Sequence, residues 1–145
     1  MTNRSVVLTS DHAGYAMKEA IKEYLEKKGY EVIDLGTDSP ESTDYPEFAH
    51  ALGKGMDEGK YRVGITLCGS GNGINMAVNK HRSVRAAICW TEKIAEFSRR
   101  HNDANVCSLP ARYIDTETGK HIVDTFLSTG FDGGRHARRI KKIPL

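Results

Sequence analysis

At 145 residues the chain has room for one domain built around one core. Its make-up is that of an ordinary globular protein, 39% hydrophobic and 28% charged, and a formal net charge of +2 is too small to suggest a nucleic-acid binder. The longest apolar runs, such as Val6 to Leu8 and Ala86 to Ile88, fall far short of a bilayer span, and no long apolar stretch follows Arg4 to suggest a secretory leader.

Ser5 to Ser10 is β-branched and apolar and predicts a buried strand. Asp11-His12-Ala13-Gly14 follows as a loop. Met17, Ala20, Ile21, Tyr24 and Leu25 recur at helical spacing, with Gly29 as a stop. Glu31 to Leu35 predicts a second strand and Gly36 to Asp44 a polar loop. Pro46 suits the first residue of a helix running to about Asp57. Arg62 to Leu67 predicts a third strand, followed by the glycine-rich turn Cys68-Gly69-Ser70-Gly71-Asn72-Gly73 and a helix over Ile74 to Asn79. Val84 to Cys89 predicts a fourth strand, and Thr91 a cap for a helix reaching His101. Asn105 to Leu109 is the fifth strand and Thr116 to Leu127 the last long helix, with a basic helical segment after Gly130.

Strands alternating with helices predict an α/β fold: a Rossmann-like three-layer α/β/α sandwich on a five-stranded parallel sheet. Such sheets bind ligands beyond the C-terminal ends of their strands. That edge receives Asp11 and His12, the Cys68 turn, Cys89, and Leu109 to Arg112.

The Cys68 turn carries the strongest chemical signal. Its glycines allow close backbone approach, and amides converging at a helix start attract negative charge. A thiol beside a helix N-terminus is more easily the thiolate. One turn thus offers a base and an anion hole. The turn is not a P-loop, lacking Gly-Lys-Ser/Thr, and it is not GxGxxG, because Ile stands at position 74. A cysteine at a strand end is also commonly a small buried hydrophobe, the reading kept for Cys89 and Cys107. Three cysteines without a CxxC pair predict neither a disulfide framework nor a zinc ribbon, and point to a reducing cytoplasm. No metal-ligand spacing is present, so neither metal nor cofactor is expected.

Asp11 could bond a sugar hydroxyl or simply cap a helix. His101 could act as a general acid or merely complement a helix C-terminus. Arg135, His136, Arg138, Arg139, Lys141 and Lys142 crowd the C-terminal segment. Arg135 and Arg139 fall on one helix face and fit a phosphate clamp, against the alternatives of a solvated basic tail or a nucleic-acid patch. No aromatic residues interleave the cluster to stack bases.

Seven segments in order resemble ribose-5-phosphate isomerase B and its relatives, the galactose-6-phosphate isomerase subunits. They are Ser10-Asp11-His12-Ala13-Gly14, Asp34-Leu35-Gly36-Thr37, Thr43-Asp44-Tyr45-Pro46, Cys68-Gly69-Ser70-Gly71-Asn72-Gly73, Asn79-Lys80, Arg99-Arg100-His101-Asn102-Asp103-Ala104-Asn105 and Gly133-Gly134-Arg135-His136. The resemblance implies an aldose-ketose isomerase acting through an enediolate, with Cys68 as base and Ser70 moving a proton between sugar oxygens. It implies that the amides of Gly69, Gly71, Asn72 and Gly73 hold the enediolate oxygen. His101 would open the sugar ring with help from Asp11. His12, Arg135 and Arg139 would bind phosphate, as would Arg112 reaching in from a partner subunit, and Tyr45 and Asn102 would contact substrate. The family's members are dimers or tetramers with shared sites and no metal, so the expected partners are a small phosphorylated sugar and further copies of the chain. One branch replaces the cysteine by a glutamate downstream; here that region reads Ile74-Asn75-Met76, without a carboxylate.

Ribose 5-phosphate is the expected substrate, with allose 6-phosphate and galactose 6-phosphate as alternatives. Two other readings stand beside it. One is a flavodoxin-like nucleotide-binding module with Glu92 near the distance for a ribose contact. The other is a non-catalytic subunit of a heteromeric isomerase, against which the presence of Cys68, His101 and Asp11 counts.

Overall fold

The computed structural model describes residues 4–145. In chain order it contains β1 (Ser5–Ser10), a 3-10 turn (His12–Gly14), α1 (Tyr15–Lys27), β2 (Glu31–Asp34), α2 (Tyr45–Asp57), β3 (Gly64–Cys68), α3 (Asn72–Val78), β4 (Ala86–Ile88), α4 (Glu92–Arg100), β5 (Val106–Pro110), α5 (Thr116–Ser128) and α6 (Arg135–Ile140). The strands form one five-stranded sheet in the order β2-β1-β3-β5-β4, every neighbouring pair parallel. From β1 the chain first moves outward to β2, then returns to lay β3 on the other side of β1. The loops leaving β1 and β3 therefore part, and a crevice opens between them.

Side chains alternate across the sheet and feed a core on each face. Val6, Leu8, Ile65 and Leu67 pack with Ile21 and Leu25 of α1 and Ile122 and Phe126 of α5. Val7, Cys68 and Val106 pack on the other face with Ala49 and Leu52 of α2 and Ile74 and Val78 of α3. Burial on both faces explains why these strands are largely apolar and do not alternate apolar with exposed polar residues.

The strand ends differ from the sequence reading for local reasons. β4 is shorter than Val84 to Cys89 because side-chain amides take over before it: Arg85 N–H donates to Asn105 Oδ1 at 2.8 Å and Ala86 N–H to Asn79 Oδ1 at 2.8 Å. α3 starts at Asn72 instead of Ile74, since Gly71 adopts the left-handed conformation (φ 79°) and serves as its N-cap.

Two contacts fix the strand end that carries Asp11. Lys18 of α1 is fully buried, its Nζ 2.7 Å from Asp34 Oδ2 and 2.7 Å from Glu19 Oε1, so the charge is paired inside the protein. Beyond Asp34, Gly36 O accepts from Ser10 N–H and Thr37 N–H donates to Ser10 O, each at 2.8 Å. Gly14 presses the next turn onto β3. A Cβ there would lie 2.6 Å from Leu67 Cβ and 2.7 Å from Leu67 O. Gly14→Ala should therefore destabilise the protein by about 2–3 kcal/mol, lowering the urea midpoint by roughly 1 M. A midpoint equal to wild type would show that the turn can lift off the strand freely. Among the described residues no helix is long and apolar enough to cross a membrane.

Candidate active site

The crevice between the ends of β1 and β3 gathers the first group of candidate residues. Asp11 caps the 3-10 turn, its Oδ1 accepting from Ala13 N–H (2.9 Å) and Gly14 N–H (3.2 Å). It is both the capping residue and a site candidate, with only Oδ2 left for other work. His12 is held by a residue to which the sequence assigned no role. Its amide donates to Thr43 Oγ1 at 3.1 Å, and Thr43 N–H donates to His12 Nδ1 at 3.1 Å. A ring nitrogen that accepts an amide proton carries none, so the ring proton sits on Nε2 and that nitrogen is a donor.

Cys68 ends β3 and is only 4% exposed. It packs among Val7, Ala49, Leu52 and Ile74 and forms the floor of the crevice, deeper than the rim position its place in the turn suggests. Above it, Ser70 Oγ accepts from Asn72 N–H at 3.2 Å. The amides of Ser70, Gly71 and Gly73 meet no acceptor among the described residues, as expected at a helix start. Tyr45, the first residue of α2, lies over this turn: a Cβ on Gly73 would come within 2.5 Å of its Cζ. Only a residue without a side chain leaves the ring that space. On the other flank, Ala111 N–H donates to Cys68 O and Arg112 N–H to Gly69 O, both at 3.0 Å. The Arg112 guanidinium lies against Gly69 of the same chain, Nη1 being 3.2 Å from a Cβ built there. Within one chain Arg112 covers its own glycine turn.

The second group lies elsewhere. His101, at the end of α4, stacks on His136 with ring centroids 4.2 Å apart and planes 10° from parallel, and Phe97 packs 4.7 Å from its centroid. Asn102 and Arg139 line the same shallow cleft, and Arg135 opens α6 beside it. Partial burial, the neighbouring His101 and the guanidinium groups of Arg135 and Arg139 hold the His136 pKa below the ordinary histidine value. His136 thus favours its uncharged form at neutral pH. Nothing in its sequence surroundings marks His136 for this, beyond its place in the basic segment.

Ligand atoms of His101, His136 and Asp132 all lie within 4.8 Å of one another, a spacing that invites comparison with a metal centre. The geometry does not suit one. Nearly parallel imidazoles cannot both aim a lone pair at one ion unless a ring turns, and Asp132 is engaged by Arg100 Nε at 3.2 Å.

The two groups occupy opposite edges of the sheet. Asn105 O accepts from Gly64 N–H, and Asn102 O from Arg85 Nε, so the segment from His101 to Asn105 sits where β3, β4 and β5 begin. Cys68 sits where β3 ends, in register with Pro110. The length of β5 alone separates the edges by about 13 Å at about 3.3 Å per residue. One chain therefore brings together Asp11, His12, Tyr45, Cys68 to Gly73 and Arg112. It does not bring His101, Asn102, Arg135 or Arg139 to them.

The sequence model of the family described as Ribose/Galactose Isomerase matches residues 6–143. The chain belongs to the Ribose/Galactose Isomerase family. It is 39% identical over 140 residues to ribose-5-phosphate isomerase B of Escherichia coli (strain K12), covering 97% of this chain and 94% of that protein. Its fold superimposes on a crystal structure of a ribose 5-phosphate isomerase from Thermotoga maritima with a TM-score of 0.95 and 47% identity, covering 98% of each chain. It also matches ribose-5-phosphate isomerase B of Mycoplasma genitalium, solved with bound ribulose-5-phosphate, with a TM-score of 0.92 and 40% identity over 96% of this chain and 93% of that one. Membership of the Ribose/Galactose Isomerase family sets aside the nucleotide-binding reading. Glu92, its proposed ribose contact, lies in the first turn of α4 with Oε1 3.7 Å from His121 Nδ1.

Proposed function

We propose that this protein interconverts ribose 5-phosphate and ribulose 5-phosphate through an enediolate, with Cys68 as the base. The observation that carries the reading is the floor of the crevice: a sulfur at the end of β3 beside amides with no acceptor of their own, in a member of an isomerase family. The Cys68 thiolate removes the proton from the sugar carbon next to the carbonyl. The electron pair moves onto the carbonyl oxygen, and the amides of the Gly69 to Gly73 turn hold the charge that develops. Ser70 passes a proton between the two sugar oxygens. The thiol then returns its proton to the neighbouring carbon, which leaves the ketose. His12 Nε2–H donates to the phosphate, and Tyr45 closes over the sugar. The free oxygen of Asp11 assists at the ring oxygen.

His101, Asn102, Arg135 and Arg139 belong to the same reaction only if a second copy of the chain brings them to the crevice. We infer a homodimer, or a tetramer of such dimers, in which each site takes its base from one subunit and its ring-opening histidine and phosphate arginines from the other. The C-terminal basic segment of the single domain, about residues 131–145, is then a phosphate clamp for the neighbouring site. Free Cys68, Cys89 and Cys107 fit a reducing cytoplasm.

The test is turnover by purified protein without added cofactor, following ribulose 5-phosphate formation beside allose 6-phosphate and galactose 6-phosphate as competitors. The expected result is the highest kcat/KM on ribose 5-phosphate. Absence of turnover on all three sugars would remove the enzymatic reading.

A further inference from the structure

Beneath the glycine-rich turn lies a polar chain that the mechanism above does not use. Thr66 and Ser108 are fully buried on the same face of the sheet, in neighbouring strands β3 and β5. Their hydroxyls are 2.7 Å apart, and Ser108 Oγ donates to Asn75 Oδ1 of α3 at 2.9 Å. A serine hydroxyl has one proton. Since Ser108 gives it to Asn75, Thr66 must donate to Ser108, and the chain has a direction: Thr66 to Ser108 to Asn75.

Each end touches the proposed catalytic machinery through the backbone. Thr66 precedes Cys68 by two residues on β3, so the two side chains point to the same face. Asn75 N–H donates to Gly71 O at 3.2 Å, the bond that ties the glycine turn to α3. Gly71 itself has little room to shift. A Cβ there would meet Leu109 C at 3.2 Å and Leu109 O at 3.3 Å. Other residues packed with α3 on this side are apolar, Cys68, Val84 and Val106 among them. Apolar contacts set a distance between helix and sheet but leave rotation and sliding soft, because dispersion is non-directional. A chain of hydrogen bonds fixes both.

We propose that Thr66, Ser108 and Asn75 form a positioning relay that locks the rotation of α3, and with it the amides of the Gly69 to Gly73 turn, relative to Cys68. The inference rests on the isomerase reading for its catalytic consequence, not for its structural one. Donors that must meet an oxygen at hydrogen-bond distance lose their effect over a fraction of an ångström, and a misplacement of about 1 Å costs on the order of a hundredfold in rate.

The experiment replaces all three members together, Thr66→Val with Ser108→Ala and Asn75→Leu, so that no buried partner is left unsatisfied and the fold survives. Thr66→Ser, which keeps the hydroxyl, is the conservative control. The triple variant should unfold within about 5 °C of wild type yet lose roughly ten- to a hundredfold in kcat, with KM changed less than about threefold. Thr66→Ser should stay within about twofold of wild type in both. Amide exchange of the Gly69 to Ile74 segment, read by mass spectrometry, should quicken roughly tenfold in the triple variant. Wild-type kcat together with wild-type exchange in the triple variant overturns the relay, as does a parallel loss of kcat, KM and thermal stability. If wild-type protein turns over no phosphosugar, the isomerase reading falls. The exchange comparison then decides the relay by itself.

Discussion

Cys68→Ala is expected to reduce ribose 5-phosphate turnover by about 10²–10⁴-fold while leaving phosphosugar binding within a few-fold of wild type. The separation of the two effects is what the geometry demands. The phosphate is assigned to His12 on this chain and to arginines from a second copy, none of which touches the sulfur. His12 is oriented by Thr43, with hydrogen bonds of 3.1 Å in each direction, and Tyr45 by its contact with Gly73. Removing one sulfur atom from the crevice floor leaves both arrangements standing. The fold should also survive. The cluster around Cys68 includes Val7, Leu52 and Ile74, and losing one buried atom there costs about 1 kcal/mol. Binding is measured by calorimetry with a phosphorylated sugar acid that cannot isomerise, turnover by ribulose 5-phosphate formation. A variant that loses binding and turnover in equal measure would make Cys68 a packing residue, and its 4% exposure would then have its ordinary meaning for a free cysteine.

The sequence carries the sheet and the Cys68 turn clearly because both are local. Val6 to Leu8 is apolar without interruption, and Ile65 and Leu67 flank a buried Thr66 whose hydroxyl is paired, which is the mark of strands covered on two faces. Gly71 and Gly73 stand where the backbone needs φ 79° and where Tyr45 needs room. Strand order is less visible. β4 reaches the sheet edge by lying outside β5, and a three-residue strand whose start is held by Asn79 and Asn105 side chains carries too short a pattern to fix its place. The pairing of His12 with Thr43 joins two loops separated by 31 residues, and no periodicity links them. Thr66 and Ser108 read as strand residues, since β-branched and small polar side chains fit buried strands as well as apolar ones do once their hydroxyls are paired.

The placement of His101 follows from a rule more general than any motif. In a parallel sheet each helix after a strand runs back toward the edge where the strands begin. α4 follows β4 and ends at Arg100, so the residue after it lies at the starting edge. A residue at the end of a strand, as Cys68 is on β3, and one at the end of a helix that follows a strand, as His101 is on α4, are on opposite sides of the same chain by construction. The local sequence signal is stronger for Cys68, in its glycine turn, than for His101, which reads equally as a complement to a helix C-terminus.

That separation predicts intersubunit complementation. Cys68→Ala and His101→Asn are each expected to be nearly inactive on ring-closed ribose 5-phosphate. Co-refolding them in equal amounts should give dimers of which about half are hybrids, by random pairing of identical interfaces. In a hybrid, one site collects both lesions and the other takes Cys68 from the histidine variant and His101 from the cysteine variant. It is intact. The mixture should therefore recover about a quarter of wild-type activity, well above either parent. The measurement is kcat per total site before and after co-refolding, with each parent refolded alone as the baseline. Recovery requires that the two residues belong to different chains, because a site built within one chain would remain damaged in every hybrid. A mixture no more active than its parents, with hybrids present by mass, would place His101 and Cys68 in separate functions and return the stacked His101–His136 pair to the surface of a single subunit.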